Sequence, residues 1–361
     1  MPLTSYHLRW CFLVLGAISL GTYNSMILKQ DGSLWTTGLL DEIDPDYWDS
    51  LSHSTIFELS ISSGVTAIDA GGDHSIVLKQ HGSVHTRGGN REGQLGDGST
   101  TFRRNYAKVF SGGVRAVSAG SAHTVILKHD YSVWATGLNI FGQLGDGSKI
   151  SRRNFVQVVF NGVKALSAGA SCTLILKHNG TVWAAGNNFY GQLGDGSTTS
   201  RSNFVQVVLS GATAVIAGWG HNLVLKQGGS LWAAGFNGYG ELGDGSNNDR
   251  HRFVQVVSSG ARSAAAGYRH TIMLKQDGSV WATGRNNYGQ LGDGSNSDRN
   301  TFVQVFFSGI ITVVAGFAHS MILHQAGSVW ATGHNNFGQL GDGSKIDRNS
   351  FIAVSSTIPG L

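Results

Sequence analysis

Between residues 155 and 186 the apolar side chains fall into four short runs, FVQVV, VKALSAG, TLILK and TVWAAG. Each is rich in β-branched and aromatic residues and bounded by Gly, Asn or Ser, which is how short strands between tight turns read. The third and fourth runs are joined through Asn179-Gly180, and the equivalent positions elsewhere hold Asp31-Gly32 and Asp277-Gly278. Their tolerance of positive φ suits type I′ hairpins. No stretch carries the apolar period of a helix ten or more residues long.

The four-run unit recurs. Trp134, Trp183, Trp232, Trp281 and Trp330 are spaced 49 residues apart, and His85 and Trp35 extend the series backward. GQLGDGS, or its variant with ELGDGS, starts at Gly93, Gly142, Gly191, Gly240, Gly289 and Gly338. A period of this size over nearly the whole chain means a propeller, solenoid or array. Four strands in each of seven units, apolar on both faces of many strands, predict an all-β, seven-bladed β-propeller with four-stranded blades. A straight β-solenoid is the rival, but it would need shorter coils and capping ends.

The ends of the chain bear on closure. AISLG, SMILK and SLWTTG read as three strands without a fourth, and FIAV at 351–354 reads as an isolated strand. Pairing of the N- and C-terminal strands in one shared blade is therefore expected to close the ring and remove its open edges. Residues 1–14 match no repeat and form an apolar leader, and 15–361 form a single propeller. The leader with Arg9 upstream has the makings of a signal-peptide core. However, Ala17–Gly21 occupies the slot of Ala165–Gly169, so cleavage after Ser19 would cut a strand. A cytoplasmic or nuclear location is expected, and a secreted one if residues 1–19 act as a signal.

Composition narrows the reading. Of 361 residues 52 are Gly, 3 are Pro and 13% are charged. Pro plus Gly falls below the roughly 25–30% of low-complexity chains and has no Gly-X-Y period, which excludes collagen and a disordered tail. The glycines recur at fixed slots and act as turn punctuation. Net charge is +4, but Lys and Arg are spread thinly along the chain without runs, so nucleic acid is not an expected partner. Cys11 and Cys172 lie in unrelated contexts and offer neither a disulfide framework nor a CxxC site. No window approaches the roughly 18 apolar residues of a membrane span. The expected state is a monomer.

The pattern AGxxHT..LK.DGSVWATGxNxxGQLGDGS, as in Ala266–Ser295, resembles the repeat of the regulator of chromosome condensation family, and the likeness covers residues 15–355. WD-type and kelch repeats fit worse: no unit ends in Trp-Asp, and a kelch-like double glycine occurs only at Gly88-Gly89. The resemblance implies a seven-bladed propeller. It also implies a choice of functions: the founding member promotes nucleotide exchange on a small nuclear GTPase and touches chromatin, others are interaction modules, light-signalling or ligase-associated domains, and a secreted type inhibits β-lactamase. In the founding member a wedge protruding from one blade acts on the GTPase. Units two to seven here contain no insertion.

Recurring polar residues read first as scaffold. His74, His123, His221, His270 and His319 share a slot that holds Asn24 in the first unit and Cys172 in the fourth. Asp97, Asp146, Asp195, Asp244, Asp293 and Asp342 are each followed six residues later by Arg, a spacing that would close a loop through a carboxylate–guanidinium pair. GQLGDGS lacks the GK[ST] ending of a phosphate-binding loop. Asp244 with Asp249, and its two later equivalents, lacks the remaining ligands of a calcium loop. No nucleophile–base constellation stands out. The expectation is a protein that is not an enzyme and carries no cofactor or metal.

Function should then lie where the units differ. If consecutive strands are antiparallel neighbours, the AGxxH loops and the long GxNxxGQLGDGS loops leave from one end of each blade. Aromatic and Arg residues, the usual hot-spot anchors, gather there in units five to seven: Trp219, Phe236, Tyr268, Arg269, Arg285, Phe317 and His334. This is the candidate partner-binding set, with packing of Trp219, Tyr268 and Phe317 at the channel mouth as the plainer reading. A second candidate is the divergent acidic loop of unit one, with Asp41, Glu42, Asp44, Asp46, Tyr47 and Trp48, which is also readable as a decayed repeat. The expected function is a protein–protein interaction scaffold using one loop face. The alternatives are a guanine-nucleotide exchange factor, with a small GTPase as partner, and a secreted protein-binding or inhibitory propeller.

Overall fold

The computed structural model describes residues 17–39 and 53–354. The leader at 1–14 and the acidic loop with Asp41, Glu42, Asp44, Asp46, Tyr47 and Trp48 lie outside the described residues.

Strands β1 (Ile18–Leu20), β2 (Asn24–Leu28), β3 (Leu34–Leu39) and β4 (His53–Ile61) pair in chain order as an antiparallel sheet. The same order repeats in seven sheets, ending at β28 (Arg348–Ala353). The burial of each strand explains its sequence. The second strand of a blade, such as Cys172–Lys177, is covered on both faces and reads as an unbroken apolar run. The fourth, such as Arg201–Val208, is the half-exposed outer strand, hence the alternation in FVQVV.

Blades are joined by apolar packing. Leu174, Leu176 and Val182 of blade four pack with Val215, Val224, Trp232 and Phe253 of blade five. At about 1.5–3 kcal/mol for each fully buried aliphatic side chain, these sheet-to-sheet layers are the main source of stability. The long loop adds to them: its Gly194, at φ +76°, lies where a Cβ would come within 2.5 Å of the Phe253 ring of the next blade. The inner strands surround an axial channel of ≈ 990 Å³ lined by small residues. Within it the carboxylate of Asp69 ties three blades together, accepting from Ser19 Oγ (2.8 Å), Ser118 Oγ (3.1 Å) and the Ala119 N–H (2.9 Å).

The ring closes differently from the sequence expectation. Blade one obtains its fourth strand from its own residues 53–61, and FIAV completes blade seven, so among the described residues no blade is shared between the N- and C-terminal strands. The outer strand belongs with the three strands before it, across the long loop, and not with the run that follows it. Closure is made by the same latch that joins blades two to seven in succession. The long loops of blades two to seven bond to the outer strand of the next blade, as in Gly147 N–H to Ser202 O (2.9 Å), and Gly343 N–H to Thr55 O (2.8 Å) repeats this from blade seven to blade one. Met321, Leu323, Val329 and Leu340 of blade seven share a core with Ile18, Leu20, Ile27 and Phe57 of blade one.

Candidate functional site

The AGxxH and long loops share one end of the ring. In successive blades the residue that opens the long loop donates its N–H to the AGxxH loop: Asn187 to Ser171 O (2.8 Å), Phe236 to Gly220 O (2.8 Å), Arg285 to Arg269 O (2.7 Å) and His334 to Ala318 O (2.9 Å). This contact needs a backbone turn at the end of the third strand, met by Gly at positive φ, as at Gly186 (+113°).

The recurring polar residues are internal fittings of this end. The histidine of one blade bonds through Nε2 to a hydroxyl of the next: His74 to Thr124 (2.8 Å), His123 to Thr173 (3.0 Å), His221 to Thr271 (2.9 Å) and His270 to Ser320 (2.8 Å). His319 to Ser25 (3.0 Å) carries the series across the closure from blade seven to blade one. The Thr124 hydroxyl already donates to Gln94 O (2.7 Å), so His74 Nε2 is the donor in that bond. Where the slot holds Cys172, the facing hydroxyl is replaced by Asn222, and the pair meets at 3.6 Å. Burial holds His123, His221 and His319 down to about 3 and His270 to about 4, so they are neutral at ordinary pH. Burial likewise pushes the Cys172 thiol up to about 11.

The Asp–Arg spacing closes the long loop as expected. Arg152 Nη2 reaches Asp146 Oδ2 at 2.7 Å, and Asp195–Arg201, Asp244–Arg250, Asp293–Arg299 and Asp342–Arg348 pair at 2.6–2.8 Å; Asp97 and Arg103 form the same pair. Asp146 Oδ1 accepts from Asn139 Nδ2 (3.0 Å) and the Ser148 N–H (2.9 Å), while Asn139 Oδ1 accepts the Leu144 N–H (3.0 Å). Burial pushes Asp146 upward, but the bonds from Arg152 and Ser148 outweigh it and hold the carboxyl below its ordinary value. The second aspartates have a loop role too: Asp249, Asp298 and Asp347 accept the N–H of Asn237, Asn286 and Asn335 at 2.7–2.8 Å.

The positions that vary meet on top of this scaffold. Trp219, Tyr268 and Phe317 form an aromatic arc along the channel mouth, with centroids 4.4 and 4.1 Å apart, and Phe317 continues to Tyr23 at 6.1 Å. The arc rests on a ring of backbone bonds, such as Trp219 N–H to Gly267 O (3.3 Å) and Tyr268 N–H to Gly316 O (3.2 Å). The residues thus pack between blades at the mouth, while Trp219 stays 38% exposed.

Arg269 sits at the centre of this region. Its guanidinium lies 3.7 Å from the centroid of Phe236, 4.7 Å from Trp219, 5.0 Å from Tyr268 and 5.8 Å from Tyr190. Below it, Nη1 is 3.8 Å from Oε1 of Glu241, a fully buried carboxylate, and neither atom has a hydrogen-bond partner. Burial pushes Glu241 up to about 7, against the pull of Arg269. Arg285 and His334 stand outside this cluster, stacked on the neighbouring long loops: Arg285 over Tyr239 (5.1 Å) and His334 against Tyr288 (4.6 Å).

Sequence reasoning missed Tyr190 and Glu241, and it read Tyr23 as a varying position of the AGxxH loops without placing it in the candidate set. The signal for Glu241 was present, since the same slot is Gln in Gln94, Gln143, Gln192, Gln290 and Gln339. Among the described residues no group of three or more His, Cys, Asp or Glu is placed to hold a metal ion.

Comparison with known proteins agrees with this architecture. Models of the regulator of chromosome condensation (RCC1) repeat match residues 65–94, 163–192, 261–290 and 310–339, and, for a second model of that repeat, 228–274 and 277–323. No curated protein sequence matches the chain. Among solved structures, human WBSCR16 is similar over 89% of this chain and 93% of its own, at 20% identity and TM-score 0.76. Prp20p of Saccharomyces cerevisiae, described with its binding to Gsp1p and histones, is similar over 83% and 80%, at 18% identity and TM-score 0.72. Yeast RCC1 (Prp20) bound to Kap60 is similar over 98% of this chain and 89% of its own, at 18% identity and TM-score 0.78. Seven blades, matched by the repeat's models in five of them, identify regulator of chromosome condensation repeats in this chain.

Proposed function

We propose that the protein is a non-catalytic interaction scaffold whose partner sits on the loop end of blades five to seven, over Trp219, Phe236, Tyr268, Arg269 and Phe317, with Arg285 and His334 at the rim. The observation that carries this reading is Arg269: a guanidinium held among four aromatic rings with an unbonded N–H over a buried carboxylate. Such clusters of Arg, Trp and Tyr are the residue types that dominate binding energy at interfaces. Tying Arg269 down costs side-chain entropy in the free protein, which lowers the ordering cost on association.

The test is recovery of binding proteins by the full chain and by a variant with Trp219→Ala, Arg269→Ala and Glu241→Gln. Gln is native to five of the equivalent positions, and Ala122 and Ala318 occupy the equivalents of Arg269, so this variant keeps the pattern of the other blades. Unchanged recovery would remove the proposed site.

Nucleotide exchange on a small GTPase is the second reading, supported by the similarity in fold to Prp20p. The uniform long loops of blades two to seven leave it without a protruding wedge. Measuring nucleotide release from a panel of small GTPases decides it: release at the spontaneous rate throughout ends the exchange reading and leaves the scaffold reading standing.

A further inference from the structure

The repeat gathers cations that look thinly spread along the chain. Lys29, Lys79, Lys128, Lys177, Lys226 and Lys275 stand at the end of the second strand in blades one to six, leading into the turns at the end opposite the aromatic arc. Arg115, Lys164 and Arg262 lie at the start of inner strands at that same end. Facing these nine cations, the hairpin turns there carry three carboxylates, Asp31, Asp130 and Asp277, each engaged with the serine two residues on. The lysines lie along the blade tryptophans, with ammonium-to-ring distances of 4.3, 4.0 and 3.9 Å for Lys177, Lys226 and Lys275. One end of the ring is therefore strongly basic.

The same end carries apolar side chains that the fold does not use. Phe160, Leu209 and Phe307 occupy the turns leading out of blades three, four and six and are 81%, 81% and 85% exposed. The equivalent slot is Ser62, Ser111 and Ser258 in other blades, so nothing in the turn requires a large apolar residue.

We infer that this end docks on an anionic lipid bilayer, with Phe160, Leu209 and Phe307 entering the boundary between headgroups and acyl chains while the lysine ring meets the headgroup charge. Charge complementarity supplies the attraction, and separate apolar tips are what a fluid surface accommodates. A protein partner would instead favour a central desolvated pocket around its anchors, and these three tips stand on different turns. A nucleic acid would use the cations and leave the tips in water. No helix among the described residues is long and apolar enough to cross a membrane, and surface docking needs none.

Sedimentation of the full chain with vesicles tests this. The chain should pellet with phosphatidylcholine vesicles containing phosphatidylserine, stay in solution with phosphatidylcholine alone, and be released as salt is raised. The variant Phe160→Ser, Leu209→Ser, Phe307→Ser should lose roughly tenfold or more of this partitioning, the change that withdrawing even one apolar side chain from the acyl boundary would produce. Absence of wild-type binding, or equal binding by the triple variant, would overturn the inference. So would binding of duplex DNA that displaces the vesicles and survives the triple substitution. The loop end is untouched by these changes, so this result is independent of the proposed partner site.

Discussion

The two ends of the ring are built from the same seven repeats and have gone opposite ways. At the loop end the recurring residues point inward: Asn139, Asp146 and Arg152 and their equivalents satisfy one another, and the histidines bond to the next blade. With structure secured inside, the outward positions are free to differ, and in blades five to seven they have become aromatic and Arg. At the turn end the recurring residue is itself a lysine, so that surface is basic around most of the ring, and its apolar tips differ from blade to blade. Variation at one end and repetition at the other suit a specific partner and an extended surface respectively.

Acid should separate the two ends most strongly. His123, His221, His270 and His319 lie at the base of the loop end and are held neutral down to about 3 or 4 by burial. In the unfolded chain they would titrate near 6.5, roughly the ordinary value. The unfolded state therefore binds protons that the folded state refuses. Stability should fall as pH drops from about 6.5 toward 4, by about 1 kcal/mol per pH unit for each histidine. Chemical denaturation at several pH values measures this, and a stability that holds constant over that range would contradict the burial of these histidines in their neutral form.

The buried pair under the aromatic arc comes next. At pH 9, about two units above the value to which burial raises Glu241, Arg269→Ala leaves an ionised carboxylate buried without its cation and should cost about 3 kcal/mol, the usual penalty for breaking such a pair. Adding Glu241→Gln should bring stability back to within about 1 kcal/mol of wild type. If the double variant is as unstable as the single one, Arg269 contributes by packing alone and not through its charge.

A smaller effect distinguishes the two halves of the loop latch. Asp342 is nearly buried and accepts bonds from Asn335, Ser344 and Arg348, whereas the Arg348 side chain is about one-third exposed. Asp342→Ala should cost about 1–3 kcal/mol by stranding the donors it serves, and Arg348→Ala less than about 1 kcal/mol. Paired thermal denaturation would show the order, and the reverse order would mean that the surface charge, not the buried network, holds the latch. Smallest of all, Phe160→Ser, Leu209→Ser and Phe307→Ser should each leave stability within about 0.5 kcal/mol, as expected for exposed positions. A larger loss would show that the apolar tips serve the fold.

The ring, the antiparallel blades and the loop-closing Asp–Arg pairs were legible in the sequence because repetition displays them several times over. The mode of closure was not. FVQVV at 155–159 is separated from VKAL by a tight turn, yet it bonds to VWATG across a long loop, as Val156 does to Ala135, and only pairing in three dimensions reveals this. Counting it with the following run made blade one look incomplete. Trp219, Tyr268 and Phe317 were readable as outliers among the repeats, but their joining with Arg269 across blade boundaries depends on the curvature of the ring. The lysine ring went unseen for the opposite reason: a cation once every 49 residues looks sparse along the chain and dense on one end of a propeller.

A partner seated on the loop end of blades five to seven should be within reach of Trp219 and out of reach of Leu209, two exposed side chains at opposite ends of the ring. Photo-crosslinking from a benzoylphenylalanine placed at position 219 or at position 209 reads this directly. Protein adducts from 219 and none from 209 are the predicted result; adducts from 209 with none from 219 would contradict the proposed site.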